Sequence, residues 1–183
     1  YFFSKGLLPV NLSRNQRESN PKSMKQLILI RHAKADWGDA ATDDHERPLN
    51  SQGRRAATEM GMRLSERGLV PDGVFTSTAV RARSTTELLA EALGYPLNEI
   101  MAVPELYHAG VETLLDFIAG LDEKLGCVMC CGHNPGLTEL AHYEFGCQVG
   151  NVPTCGVVNL EFPVNAWPAV QGTRPVNMDF NSP

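Results

Sequence analysis

The stretch Lys25-Gln-Leu-Ile-Leu-Ile-Arg31-His32-Ala33-Lys34 decides how the chain folds. Leu27 to Ile30 is an uninterrupted apolar run. Such a run suits a strand buried on both faces of a parallel sheet, where polar residues cannot alternate with apolar ones. It stops at Arg31 and His32, where the strand would leave the core. In open α/β sheets ligands bind in the crevice outside the carboxyl ends of the strands. A guanidinium beside an imidazole at that point suits an anionic substrate and a nucleophile or proton shuttle.

Outward from this stretch the same pattern recurs. Asp36 to Leu49 reads as a polar surface loop bordering the crevice, with Asp39, Asp43, Asp44, His45, Glu46, Arg47 and Pro48. Asn50 is a good N-cap for a helix to about Arg67, with Ala56, Ala57, Met60 and Leu64 as its apolar stripe and Gly68 as its stop. Gly73 to Ser77 is a short strand, and Ala79 to Leu93 a helix with Leu88, Leu89 and Ala92 expected inward and Gly94 closing it. Ile100 to Val103 makes a third strand ending in Pro104-Glu105-Leu106-Tyr107-His108, followed by a helix from about Val111 to Leu121. Cys127 to Cys131 makes a fourth, running into Gly132-His133-Asn134-Pro135-Gly136, where Pro135 opens a helix to about Phe145. Val157 to Phe162 and Val176 to Phe180 read as the last strands.

This alternation predicts an α/β fold, a three-layer α/β/α sandwich with a mainly parallel central sheet. If the strands are parallel, Arg31 and His32 beyond the first strand, Arg81 beyond the second, Glu105 beyond the third and His133 beyond the fourth gather at one rim. Arg81 falls in the first turn of its helix, where the dipole disfavours a cation, which suggests a bound anion. Two arginines offer planar forks that match phosphate oxygens. Two histidines supply one group that attacks while neutral and one that, if protonated, donates to developing negative charge. Phosphoryl transfer asks little more than in-line positioning and charge stabilisation, so this set is sufficient without a metal or cofactor.

The totals bound the partners. The 183 residues, 43% of them hydrophobic, suffice for one domain with a full core. Residues 24–183 are expected to form it, and residues 1–23, polar with a single acid (Glu18), to be a disordered or non-native extension. A net charge of −5 gives no basic field for nucleic acid, and no apolar run approaches the roughly 18 residues of a membrane span. Five cysteines, three crowded into one apolar strand, argue for a reducing compartment, with the cytoplasm as default.

Four segments resemble the successive signatures of the histidine phosphatase superfamily: Leu29-Ile30-Arg31-His32-Ala33, Thr76 to Thr85 around Arg81, Pro104-Glu105-Leu106-Tyr107, and Gly132-His133-Asn134-Pro135-Gly136. The resemblance runs from about Met24 to Phe180. Asp44-His-Glu-Arg-Pro-Leu-Asn50 with Gly53, together with the compact length, is most similar to the SixA branch of small phosphohistidine phosphatases. Ala33 stands where the wider superfamily usually has glycine. The resemblance implies a phosphoglycerate-mutase-like fold and His32 as a nucleophile that becomes transiently phosphorylated. It implies a phosphate pocket of Arg31, Arg81 and His133, and hydrolysis of phospho-His32 by water. Glu105 matches the position of a proton donor in many members; the other reading is a loop carboxylate pairing with a site cation. The implied substrate partner is a phosphorylated histidine-containing protein such as a phosphotransfer domain, met by a monomer. The alternatives are a small-molecule phosphomonoesterase or phosphoglycerate-mutase relative, and a non-catalytic module that binds phosphorylated partners.

Other residues have plainer readings. Cys127, Cys130 and Cys131 with His133 hint at zinc, but neighbouring strand residues face opposite ways, so core packing is expected and no metal site. Arg83 is expected in solvent or in a salt bridge. Arg47 is expected either to hold an acidic part of the substrate or to pair with Glu46 or Asp44, and Trp37 either to wall the pocket or to cover the loop. His45, His108 and His142 are placed at the surface or the crevice edge, with only His108 near enough to the rim to matter.

Overall fold

A computed structural model describes residues 24–37 and 43–183; the extension expected over residues 1–23 and the loop carboxylate Asp39 lie outside the described residues. The chain runs β1 (Lys25–Arg31), α1 (Ser51–Glu66), β2 (Gly73–Ser77), α2 (Val80–Ala92), β3 (Met101–Val103), α3 (Val111–Ala119), β4 (Cys127–Gly132), α4 (Gly136–Glu139), β5 (Val157–Phe162) and β6 (Asn177–Asn181). The six strands form one sheet in the order β3-β2-β4-β1-β5-β6. The first four are parallel to one another, while β5 runs antiparallel to β1 and β6 antiparallel to β5. The expected α/β sandwich is therefore present with a mixed sheet. Its parallel half carries the crossover helices that parallel pairing requires, and its antiparallel half needs none. β6 is the outer edge, and its Asn177, Asp179 and Asn181 keep that edge polar.

Helices cover both faces. Along β1, Leu27 and Leu29 join a core layer with Leu114, Leu115 and Ile118 of α3 and Leu137 of α4. Ile28 and Ile30 point the other way, into a layer with Ala57, Met60 and Leu64 of α1 and Ala82, Leu89 and Ala90 of α2. The uninterrupted apolar run thus feeds two cores at once. Each fully buried Leu or Ile contributes about 1.5–3 kcal/mol relative to exposure. The sulfurs divide the same way: Cys130 lies in the first layer, Cys127 and Cys131 in the second.

Local signals set most boundaries. The Asn50 side chain accepts from the Gly53 N–H at 2.8 Å and caps α1, and Gly68 ends it at a φ of +73°. α2 differs from its expected face. Its buried residues are Arg81, Ala82, Thr85, Thr86, Leu89 and Ala90, whereas Leu88 and Ala92 are only partly buried. The reason is a close helix pair: at Gly61 of α1 an added Cβ would meet the Ala92 side chain and the backbone of Leu88 and Leu89, so α2 presents Ala92 to the neighbouring helix and its polar side to the sheet rim. α4 is a single turn that continues as a π-type turn over Leu140–Glu144.

Candidate active site

Because β1, β2 and β4 are parallel, their carboxyl ends share one rim, and His32, Arg81 and His133 meet there. His32 leaves β1 under tight backbone control. Its N–H donates to the Gly132 carbonyl (3.1 Å), and its carbonyl and that of Arg31 both accept from the Cys155 N–H. The Ala33 N–H donates to Thr85 Oγ1 at 2.9 Å, tying the turn to α2. A Cβ at Gly53 would overlap the Lys34 carbonyl oxygen, so α1 closes on this turn only with glycine there.

Hydrogen-bond partners fix the ring states. His32 Nδ1 lies 2.8 Å from the Ala33 carbonyl, which can only accept, so Nδ1 carries the proton. Nε2 then keeps its lone pair and accepts from Arg81 Nε at 3.3 Å. On His133 the arrangement is reversed. Nδ1 faces Arg81 Nη2 at 3.4 Å, and an arginine only donates, so Nε2 carries the proton and donates to Ser77 Oγ at 2.7 Å. The two imidazoles stand 5.1 Å apart, centre to centre.

Burial pushes the His32 imidazolium down to about 4, with the charges of Arg81 and Arg31 acting in the same direction. His133 is driven to about 3, again by burial first and then by His32 and Arg81. Both rings are therefore neutral at neutral pH. The sequence allowed for a protonated histidine here; with these partners His133 is neutral, and a nearby dianion is the kind of charge that would raise it.

Arg81, only 3% exposed, is the centre of the cluster. Nε and Nη2 face the histidines, while Nη1 donates to the Asp44 carbonyl and Nη2 to Asp44 Oδ2 (2.8 Å) on the far side. Asp44 also accepts from the Tyr107 hydroxyl (2.8 Å), Arg47 Nη1 (2.8 Å) and His108 Nε2 (3.3 Å). Burial opposes its ionisation, but the hydrogen bonds from Tyr107, Arg47, Arg81 and His108 together hold its carboxyl well below the usual range.

Arg31 lies beside this group without touching it. Its Nη1 donates to the Val152 carbonyl at 2.9 Å, and its Nε is buried with no hydrogen-bond partner among the described residues. A buried donor in that state favours an incoming acceptor. Glu105 is not brought in. It sits exposed on the 3-10 turn Pro104–Leu106 and makes no hydrogen bond or ion pair among the described residues.

The sequence reading did not single out Asp44, Ser77 or Tyr107 as site residues. Arg47 takes the pairing alternative, and it also lies over the ring of Trp37, which is 88% exposed. His45 reaches the rim as well, with Nε2 on Thr78 Oγ1 (2.9 Å) and its ring 5.0 Å from that of Tyr107. The adjacent Asp43-Asp44 pair followed by Arg47 was the available signal, since a carboxylate three residues before an arginine pairs readily within one turn.

A paired imidazole and guanidinium at the ends of parallel strands define a phosphoryl-handling α/β protein, and comparison with known sequences agrees. Residues 27–118 match the model of the histidine phosphatase superfamily (branch 1), and the chain belongs to that superfamily. Among solved structures, one provisionally named the phosphohistidine phosphatase SixA from Agrobacterium tumefaciens is 30% identical, with a TM-score of 0.73 over 87% of this chain and 98% of that one. A second, of the same provisional name from Nakamurella multipartitia, is 26% identical with a TM-score of 0.70 over the same shares. Among sequences, an uncharacterised chloroplast protein of Arabidopsis thaliana is 30% identical over 78% of this chain and 69% of its own length. A 2,3-bisphosphoglycerate-dependent phosphoglycerate mutase from a Chelativorans strain is 37% identical over 40% of this chain and 36% of its own length. The family and these neighbours support a phosphatase.

Proposed function

We propose that the protein hydrolyses phosphohistidine carried by a partner protein, through a phosphoryl group held transiently on His32 and with no metal ion. One observation carries this reading. His32 is half-buried and neutral, and its Nε2 lone pair is turned toward Arg81 by the hydrogen bond from Nδ1 to Ala33. A nucleophile must be unprotonated to attack, and here burial rather than a neighbouring base provides that.

In the first half-reaction Nε2 of His32 attacks phosphorus. The phosphorus–nitrogen bond of the substrate breaks, and its electron pair returns to the departing imidazole nitrogen. That imidazole carries a proton on its other nitrogen and leaves neutral. Arg81 Nε and Nη2 and the free Arg31 Nε are the donors for the equatorial oxygens. As Arg81 Nη2 turns from His133 Nδ1 to the phosphoryl oxygens, the charge of that group favours uptake of a solvent proton at Nδ1, which makes His133 a further donor. In the second half-reaction a water oxygen bonds to phosphorus and the bond to Nε2 breaks, returning the electron pair to His32.

A protein-borne substrate fits the mouth of the site, where the side chains of Asp44 and His108 are 44% and 52% exposed. The neighbours named for phosphohistidine phosphatases point the same way. All five thiols are free and buried, which suits a reducing compartment, and no helix among the described residues is long and apolar enough to cross a membrane.

The test is a comparison of phosphate release from a phosphorylated histidine phosphotransfer protein and from small phosphomonoesters such as phosphoglycerate, with wild type and His32→Ala. The reading expects faster turnover of the phosphohistidine protein and loss of that turnover in the variant. Preference for the monoester would favour a small-molecule phosphatase, and equal binding with no turnover would make the chain a binding module.

A further inference from the structure

Hydrolysis of phospho-His32 is accelerated by a group that takes the proton from the attacking water, and most imidazoles at the rim are committed. His133 uses both nitrogens, on Ser77 and Arg81. His45 uses both as well, on Glu46 and Thr78. Asp44 accepts from four side chains, which leaves its carboxylate a poor base. His108 is different. Its Nε2 faces Asp44 Oδ2 at 3.3 Å, and its Nδ1 has no hydrogen-bond partner among the described residues.

Its position is built rather than incidental. His108 adopts a φ of +51°, in the left-handed region that non-glycine residues rarely occupy. The ring lies 5.0 Å from that of His133 and 4.3 Å from that of Tyr107, with about half of the side chain open to solvent. The next residue locks the segment down: a Cβ at Gly136 would overlap the Ala109 carbonyl oxygen, so the 107–109 segment packs directly against the turn that follows His133.

We infer that His108, held by Asp44, is the general base of the second half-reaction. As the water oxygen bonds to phosphorus and the Nε2–phosphorus bond breaks, the water proton passes to Nδ1 of His108. Asp44, as acceptor from Nε2, stabilises the resulting imidazolium, which then loses a proton to solvent. The first half-reaction has no use for His108, because the departing imidazole already carries its proton. This assignment rests on the reading that His32 is phosphorylated, and it gives the proton-transfer role to a histidine rather than to Glu105.

The test follows both half-reactions in the full chain with phosphoramidate as phosphoryl donor. It measures the rate at which acid-labile phosphate enters the enzyme and the rate at which it leaves. His108→Asn tolerates the left-handed backbone and keeps a donor for Asp44, but cannot take up a proton. Its labelling rate is expected to stay within about 3-fold of wild type. Its rate of phosphate loss should fall by about 100-fold, the usual scale of a general base, so that the phosphoenzyme accumulates. Unchanged phosphate loss, or equal slowing of both steps, overturns the assignment. A wild-type enzyme that never carries the label removes instead the reading on which the assignment rests.

Discussion

Arg81 Nε donates to Nε2 of His32 across 3.3 Å, so a guanidinium holds the lone pair of the neighbouring imidazole in one direction. The same side chain reaches His133 Nδ1 and both the carbonyl and the carboxylate of Asp44. One buried arginine therefore sets the geometry of both histidines.

Replacing the fork while keeping the charge separates geometry from electrostatics. Arg81→Lys retains a cation, but an ammonium is a compact point charge and cannot serve His32, His133 and Asp44 in one plane. The expected loss in kcat/KM is about 10²–10³-fold, the scale of removing an oriented donor from a transition state. Steady-state kinetics on a phosphohistidine protein measure it, and a loss under 5-fold would show that charge alone suffices.

The ring states are directly observable. Long-range proton–nitrogen correlation spectra at pH 6 should show His32 as the Nδ1–H tautomer and His133 as the Nε2–H tautomer, both neutral. The sign of the accompanying pH effect follows from the lowered values. With folded values near 4 and 3 against an ordinary 6.5, the unfolded chain binds protons that the folded chain refuses as pH falls below 6.5. The contribution of these rings is fully present above 6.5 and declines progressively as pH falls toward 4. The urea midpoint should therefore drop between pH 7 and pH 5. A midpoint that rises over that interval, or doubly protonated rings at pH 6, would contradict the assignment.

Ser77 acts through His133. Ser77→Ala leaves a buried N–H without its acceptor, which costs about 1–3 kcal/mol and lets the ring rotate. Thermal unfolding should show the destabilisation, and activity should fall by about 10-fold with KM changed less than kcat. Ser77→Thr, which keeps the hydroxyl, should recover part of it. Equal stability in Ser77→Ala and wild type would mean that the 2.7 Å contact contributes nothing.

Backbone fit makes a separate expectation. Gly136→Ala forces a methyl onto the Ala109 carbonyl oxygen and should cost about 1–3 kcal/mol, as overpacked sites do. At Gly150 nothing lies within reach of an added Cβ, so Gly150→Ala should stay within about 0.5 kcal/mol of wild type. Denaturant melts of the two variants provide the comparison. Equal midpoints would show that the 107–109 segment yields to the methyl group.

What could be read in advance divides along physical lines. The run Leu27 to Ile30 announced a doubly covered strand, and parallel pairing then required Arg31, His32, Arg81 and His133 to share a rim, because the end of a parallel strand fixes where the next residue emerges. The roles of Asp44, Ser77 and Tyr107 depend instead on how a polar loop crosses that rim. Period-based patterns say nothing about that path; it is set by tertiary contacts such as the Ala35–Leu49 bridge and the Arg81–Asp44 pair. The direction of β5 was equally hidden, since an apolar strand reads the same in either orientation. On α2 the apolar residues drew attention away from Thr85 and Thr86, whose hydroxyls satisfy themselves on backbone carbonyls one turn back and so can be buried.

The most direct measurement is to quench a reaction with a phosphorylated histidine protein under conditions that preserve phosphorus–nitrogen bonds and to map the phosphoryl group by mass spectrometry. A phosphoryl group on His32, gained and lost on the timescale of turnover and absent from His32→Ala, is the predicted result. Undiminished phosphate release with the group never on His32, or found on another residue, would contradict the account.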